Sequence, residues 1–292
     1  MSDTLPSLRR KINSATDLES VVRTMKALAA TNIVQYERAV RALDDYYRTV
    51  ELGLVAWLQQ TDTDELQDRR VRKHQMTTGA VVFGSDQGLV GQFNETLADF
   101  DATALRDMPG TKNVWTVGER IQGHLANAAF PAAANFPVPN SIAAITALVG
   151  RILAEIETHL EQGVVMPVYL YHNRPVSGAA YEPVAQRLLP LDEEWRRGLA
   201  RLHWPTRNLP EVIGGADQAL KAMISEYLFI SLFRACAESL ASENASRLAA
   251  MQRAEKNIDE LLEGLNLDFH RLRQSGIDEE LFDVIAGFEA LR

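Results

Sequence analysis

Residues 79–95, GAVVFGSDQGLVGQFNE, carry an apolar run, Ala80-Val81-Val82-Phe83, that empties into a loop with glycines at 84, 88 and 91. A phosphate-binding loop sits at such a place in nucleotide enzymes, because glycine turns bring backbone N–H groups and a helix N-terminus up to an anion. The spacing argues against that chemistry. Gly84, Gly88 and Gly91 give G-x3-G-x2-G, which is neither G-x-G-x-x-G nor G-x4-G-K-S/T, and no lysine lies in the loop to meet a phosphate. Glu119, soon after the next strand-like run, could mimic a ribose-binding acid, but carboxylates at strand ends are common. The loop reads as a structural turn in a Rossmann-like sheet, where Gly84, Gly88 and Gly91 let the chain turn tightly off the first strand.

The other chemistry-bearing residues are dispersed. Histidines at 74, 124, 159, 172, 203 and 270 form no H-E-x-x-H and no Cys/His cluster of metal spacing. Cys236, among apolar neighbours, reads as a small core residue rather than a nucleophile. Acidic runs such as DEEW (192–195) and DEEL (278–281) read as solvated faces. No active site, cofactor site or metal site is expected.

Composition bounds the rest. The 292 residues are 46% hydrophobic and 24% charged, as in ordinary soluble domains. No run approaches the ~18 apolar residues a membrane span needs, and the first residues lack the apolar core of a secretory signal. One cysteine fits a reducing compartment, the cytoplasm or the cytoplasmic face of a membrane. The net charge is −9; residues 209–292 hold 8 basic and 15 acidic side chains, so −7 of it lies there. A nucleic-acid grip needs the opposite sign, and that class is set aside.

The elements that would position any site fall into three stretches. Along the first, Leu18, Val22, Met25, Ala29, Asn32, Tyr36, Ala39, Leu43, Tyr46 and Val50 step by 4 and 3, a heptad seam with a polar Asn32 to fix register. Along the last, Leu248, Met251, Glu255, Ile258, Leu262, Leu265, Phe269 and Leu272 repeat the spacing, and beyond Gly276 the phase slips to Ile277, Leu281, Val284 and Phe288. Two long helices that each need a partner pair most simply with each other, as an antiparallel coiled coil. At 1.5 Å per residue a helix over most of 212–290 would be roughly 110 Å long, far more than a compact domain is wide. Between them, strand-like runs (TGAVVFGS, NVWTVG, AANFPVP, VVMPVYLYH, AAYEPVAQRLLPL) alternate with helical ones (GQFNETLADFDATAL, SIAAITALVGRILAEIETHLEQ). Such alternation predicts an α/β domain with a mostly parallel sheet. The expected organisation is a helix over 1–60, a polar linker at 61–75, a Rossmann-like α/β domain over 76–205, and a helix over 209–292 that pairs with the first.

Four stretches together carry a family resemblance over nearly the whole chain. GSDQGLVGQFNE is similar to the signature S-S-D-R/K-G-L-C-G of the gamma subunits of F-type ATP synthases, with Gly84, Gln87 and Val90 as departures. VAQRLLPL (184–191), ESLASENASRLAAMQRAEKN (238–257) and RLRQSGIDEELFDVIAGFEAL (271–291) resemble further stretches of that family, in the same order. The resemblance implies a noncatalytic, asymmetric axle that couples ion flow through the membrane rotor ring to ATP synthesis or hydrolysis. Its implied partners are three alpha and three beta subunits around one copy, the epsilon subunit and the membrane c-ring, and its implied place is the cytoplasmic face of the cell membrane, as a peripheral protein. Carried over residue by residue, it implies contacts to the catalytic hexamer at Arg273 and Gln274, at Asp278 and Glu280 on the same face region, at Arg247, and at Met25 near the catalytic-subunit lever. Arginine suits such a contact because its rigid fork of donors fits a carboxylate. The family's basic stretch after that methionine is here TNIVQY (31–36), INSATDLESVV replaces the usual first turns, and Phe288 and Glu289 replace small residues near the end. These mark a divergent branch. The rival reading, a coiled-coil scaffold or tether with an α/β recognition domain, shares the heptads but leaves the 271–291 ending unexplained.

Overall fold

A computed structural model describes residues 4–60, 77–161, 167–176, 180–190, 193–202, 204–206, 208 and 216–290. The expected linker at 61–75 lies outside them. The elements in order are α1 (Leu5–Gln60), β1 (Thr77–Phe83), α2 (Phe93–Asp107), β2 (Thr111–Val117), α3 (Glu119–Asn127), β3 (Ala132–Phe136), α4 (Ile142–Glu161), β4 (Val168–Pro175), β5 (Tyr181–Leu189), α5 (Glu193–Ala200) and α6 (Ala216–Ala290). The fold is therefore the expected mixed α/β one, with long terminal helices of 56 and 75 residues. By contacts the chain divides into two compact units, Thr31–Ser246 and the pair of terminal segments Met1–Ala30 with Arg247–Arg292.

In the Thr31–Ser246 unit the sheet order is β3-β2-β1-β4-β5. The first four strands are parallel and joined through helices, and β5 returns antiparallel to β4. Pro183 sits in β5, where a missing ladder donor is tolerated because the strand is an edge. Strand alternation divides the core in two. Val81, Phe83, Trp115, Val117 and Leu170 face α4 and the buried stretch of α6 that carries Leu232, Phe233, Cys236, Ala237 and Leu240. Ala80, Val82, Val114 and Tyr171 face the opposite way, onto Leu97, Ala98 and Leu105 of α2 and Ile121 and Leu125 of α3. Each fully buried leucine or phenylalanine contributes about 1.5–3 kcal/mol, so hydrophobic burial is what seats α6 on the sheet. A third cluster joins Val50, Leu54 and Val55 of α1 to Tyr227 and Ile230 of α6 and Leu199 of α5.

In the terminal unit α1 and α6 run antiparallel: Ile12 shares a cavity wall with Phe269, and Lys26 pairs with Glu255. On α6 the expected seam from Leu248 to Leu272 is half-buried or buried throughout, with Met251 deepest. The α1 seam differs at two positions. Leu18 is 58% exposed and Tyr46 46% exposed, while their neighbours Glu19 and Tyr47 turn inward. A helix of 3.6 residues per turn drifts by about 20° per heptad against a strict seven-residue repeat, which moves the inward position one residue later at the Tyr46 end; the drift does not account for Glu19 at the other end. Beyond Gly276 the residues of the slipped phase are exposed: Ile277, Leu281 and Val284. The side chain of Phe288 lies outside the described residues.

Candidate functional site

The glycine loop is held by its own side chains. Gly84 N donates to Val117 O at 2.9 Å, and Ser85 N donates to Asn94 Oδ1 at 3.0 Å while Asn94 Nδ2 donates to Ser85 Oγ at 2.8 Å. Asp86 accepts from Glu119 N, the first N–H of α3, at 3.0 Å, and from Val138 N at 2.8 Å. A phosphate would need those same donors and would meet a carboxylate already among them. The loop thus ties the ends of β1, β2 and β3 together, and the Asp86 carboxylate caps the first N–H of α3, that of Glu119.

The three glycines do different things. A Cβ on Gly84 would overlap the Ile121 side chain, and Gly91 has φ +56°, a conformation that favours glycine. Gly88 shows neither condition: its added Cβ would meet Arg120 Nη2 at 3.7 Å, an ordinary contact.

Polar residues of α6 bolt it to the sheet beside the hydrophobic contact. Ser239, Ser242 and Ser246 are spaced 3 and 4 apart, on one face. Ser239 Oγ donates to Phe83 O at 2.9 Å, Ser242 Oγ to Asn173 O at 2.9 Å, and Ser246 Oγ to Val90 O. The residue opposite Asn173 in the ladder is Pro183, which has no N–H to offer. Ser242→Ala is therefore expected to cost about 1–2 kcal/mol by leaving that buried carbonyl short of a donor, read as a lower urea midpoint at unchanged slope. Next to the serines, Glu238 accepts from Arg234 Nε at 2.8 Å and pairs with His172 Nε2 at 2.9 Å, and Arg234 reaches Asp44 of α1 at 3.2 Å. Burial alone would raise the Glu238 carboxyl, but the His172 and Arg234 bonds outweigh it and hold it below the usual carboxylate range. Asn32, the polar seam residue, donates to Asn244 Oδ1 at 3.3 Å. The signal for Ser239, Ser242 and Ser246 was in the sequence, as serines at helical spacing inside a run of small residues.

The implied contact residues fall on the helices. Met25 is half-buried on α1 and Arg247 half-buried on α6, whereas Arg273, Gln274, Asp278 and Glu280 are all exposed. One expectation is corrected by helix geometry. Residues two apart on α6 point about 200° apart, so Asp278 and Glu280 do not share a face; Asp278 lies one turn beyond Gln274, and Glu280 lies two turns beyond Arg273. Arg273 lines a cavity of about 710 Å³ together with Arg9, Ile12, Asn13, Phe269 and His270. Cys236 is buried, and burial pushes its thiol far up, away from nucleophilic chemistry. Among the described residues no group of three His, Cys, Asp or Glu side chains could hold a metal, and no helix is long and apolar enough to cross a membrane.

Comparison with known proteins bears on this arrangement. The chain is similar to the ATP synthase gamma chain of Polaromonas naphthalenivorans, 25% identical over 288 residues that cover 97% of this chain and 98% of that one. It is likewise similar to the gamma chain of Moorella thermoacetica, 26% identical over 98% of both. Among solved structures, the rotor of the Euglena gracilis mitochondrial ATP synthase aligns with TM-score 0.62 at 16% identity, over 94% of this chain and 98% of that one. The central stalk of the Tetrahymena thermophila enzyme aligns with TM-score 0.57 at 20% identity, over 80% and 99%. A family model described as ATP synthase matches residues 4–291. The chain belongs to the ATP synthase gamma-chain family.

Proposed function

We propose that this chain is the rotating central stalk of an ATP synthase, and that it performs no bond chemistry of its own. Three alpha and three beta subunits would surround the paired ends of α1 and α6, and the α/β unit would meet the epsilon subunit and the membrane c-ring at the cytoplasmic face of the membrane. An axle acts by differential contact: it favours one conformation of a catalytic site over another only to the extent that it binds the two unequally. The observation that carries this reading is the end of α6. Ile277, Leu281, Phe282, Val284 and Ile285 are between 47% and 69% exposed, on a helix end that carries Arg273, Gln274 and Glu280 beside them. An apolar stretch of that size calls for a sleeve of protein around it. Apolar contacts are non-directional, so they can slide as the helix turns, while a few polar groups define angular positions.

Arg273 and Gln274 are assigned the polar contact to a catalytic subunit. Both are exposed, so Arg273→Ala with Gln274→Ala is expected to leave the thermal unfolding of the isolated chain unchanged. In the assembled complex it should lower coupled ATP hydrolysis by about tenfold, equivalent to ~1.4 kcal/mol. Full coupled activity in the doubly substituted complex would count against the assignment.

A further inference from the structure

Within the Thr31–Ser246 unit, a polar cavity of about 420 Å³ opens between α6, strands β4 and β5, and Tyr47 of α1. Its size is that of a small-molecule site. Two of its lining residues, His172 and Ser231, are only 3% and 2% exposed, and among the described residues His172 Nδ1 and Ser231 Oγ have no hydrogen-bond partner. Both stand on the faces that wall the cavity. Ser231 lines it together with Arg234 and Glu238, three and seven residues further along one face of α6. His172 and Arg174, two apart, line it from one face of β4. Buried polar groups are nearly always satisfied, so two orphans on one cavity point to an occupant.

The hydrogen-bonding groups define what that occupant brings. Glu238 is engaged by Arg234 Nε at 2.8 Å and by His172 Nε2 at 2.9 Å. A carboxylate only accepts, so Nε2 carries the imidazole proton, and in the neutral ring Nδ1 is left as an acceptor that calls for a hydroxyl or N–H. The other groups donate. Ser231 offers its hydroxyl and Gln186 its amide. Arg234 spends Nε on Glu238 and Nη1 on Asp44, and Arg174 spends Nη2 on Glu182, so among the described residues each guanidinium keeps N–H groups for the cavity. The Arg234 guanidinium lies 6.0 Å over the Tyr47 ring, which fixes its direction. Glu238 is the one carboxylate among the described lining residues, and Asp44 and Glu182 are not part of the lining. Two guanidinium groups against one engaged carboxylate leave the wall positive.

We propose that this cavity binds a small hydroxylated oxyanion, a hydroxy acid or a phosphate monoester. Its hydroxyl donates to His172 Nδ1, and its anionic oxygens accept from Ser231 Oγ and from the guanidinium groups of Arg174 and Arg234. The site lies in the α/β unit and does not rest on the central-stalk reading. An occupant joins β4 to α6 through groups other than the three serines, so it strengthens the seat of α6 on the sheet by mass action.

Calorimetric titration of the full chain with malate, succinate, glycerol 3-phosphate and glycerol tests this. Expected is saturable binding of one equivalent of malate or of glycerol 3-phosphate, with a matching rise in melting temperature. Tighter malate assigns a carboxylate ligand, and tighter glycerol 3-phosphate assigns a phosphate. Succinate keeps both carboxylates of malate and lacks its hydroxyl, so it should bind about tenfold more weakly than malate or worse. Glycerol, without the charge, should not compete. Ser231→Ala should weaken binding about tenfold. The same change should leave the urea midpoint of the empty chain unchanged or raised, because it deletes a buried hydroxyl that has no partner. Arg174→Gln, at an exposed position, should weaken binding as well. No saturable binding of either anion, malate matched by succinate, glycerol matching glycerol 3-phosphate, or an affinity unchanged in Ser231→Ala would each overturn the site.

Discussion

Gly118→Ala is expected to cost about 3–5 kcal/mol of folding free energy. Gly118 precedes α3 with φ +116°, a conformation that a side chain strains. Its added Cβ would also lie 2.7–2.8 Å from the backbone N, C and O of Ser85. That backbone has nowhere to go. Ser85 N is held by Asn94, Ser85 O accepts from Arg120 N at 2.9 Å, and Asp86 holds Glu119 N. Relieving the overlap would break one of these bonds or push α3 off the sheet. The companion change Gly88→Ala, with no positive φ and only an ordinary contact to Arg120, should shift stability by no more than about 0.5 kcal/mol. Urea titrations of the two variants check the contrast; equal midpoints would show that the loop is not held as described.

Asp101 supplies the second large effect. It lies on the buried face of α2, fully shielded, and among the described residues neither of its carboxylate oxygens has a hydrogen-bond partner. Burial drives its carboxyl well above the usual carboxylate range. The nearby Tyr171 hydroxyl is likewise buried without a partner among the described residues, and burial, reinforced by Asp101, pushes it up too. The linkage sign follows from the raised carboxyl. Below about pH 4 the folded and unfolded chains both hold the proton, and there is no penalty. Above it the unfolded chain releases the proton while the folded chain keeps it, so stability falls as pH rises toward the raised folded value. Asp101→Asn keeps the shape and removes the titration. It should therefore be near neutral at pH 4 and stabilise the protein increasingly as the pH rises to 7. Denaturant melts at the two pH values test this. A gain of equal size at both would mean that the charge of Asp101 is not the cause.

The sequence made the repeating features readable and hid those that depend on single long-range contacts. Heptad spacing marked both terminal helices because a seam repeats its signal many times; Leu18 and Tyr46 departed from it, and helix drift accounts for the second. The strands showed as apolar runs bounded by turn residues, and α2 and α4 as amphipathic stretches. The nine-residue α3 did not stand out, since only Ile121 and Leu125 face the core and Gly123 interrupts its pattern. Glycine spacing alone could not tell Gly84, wedged against Ile121, from Gly88, which has room. The pairing of His172 with Glu238 joins residues 66 apart in sequence, and nothing local to either forecasts it.

The central claim is that this chain turns as an axle, and direct observation of rotation tests it best. The chain, with a probe fixed to its α/β unit, is assembled with alpha and beta subunits held on a surface and supplied with ATP. Expected is one copy per hexamer and unidirectional rotation of the probe in steps of a third of a turn. A complex that hydrolyses ATP at full rate while the probe stays still, or a hexamer that forms without taking up this chain, would contradict it.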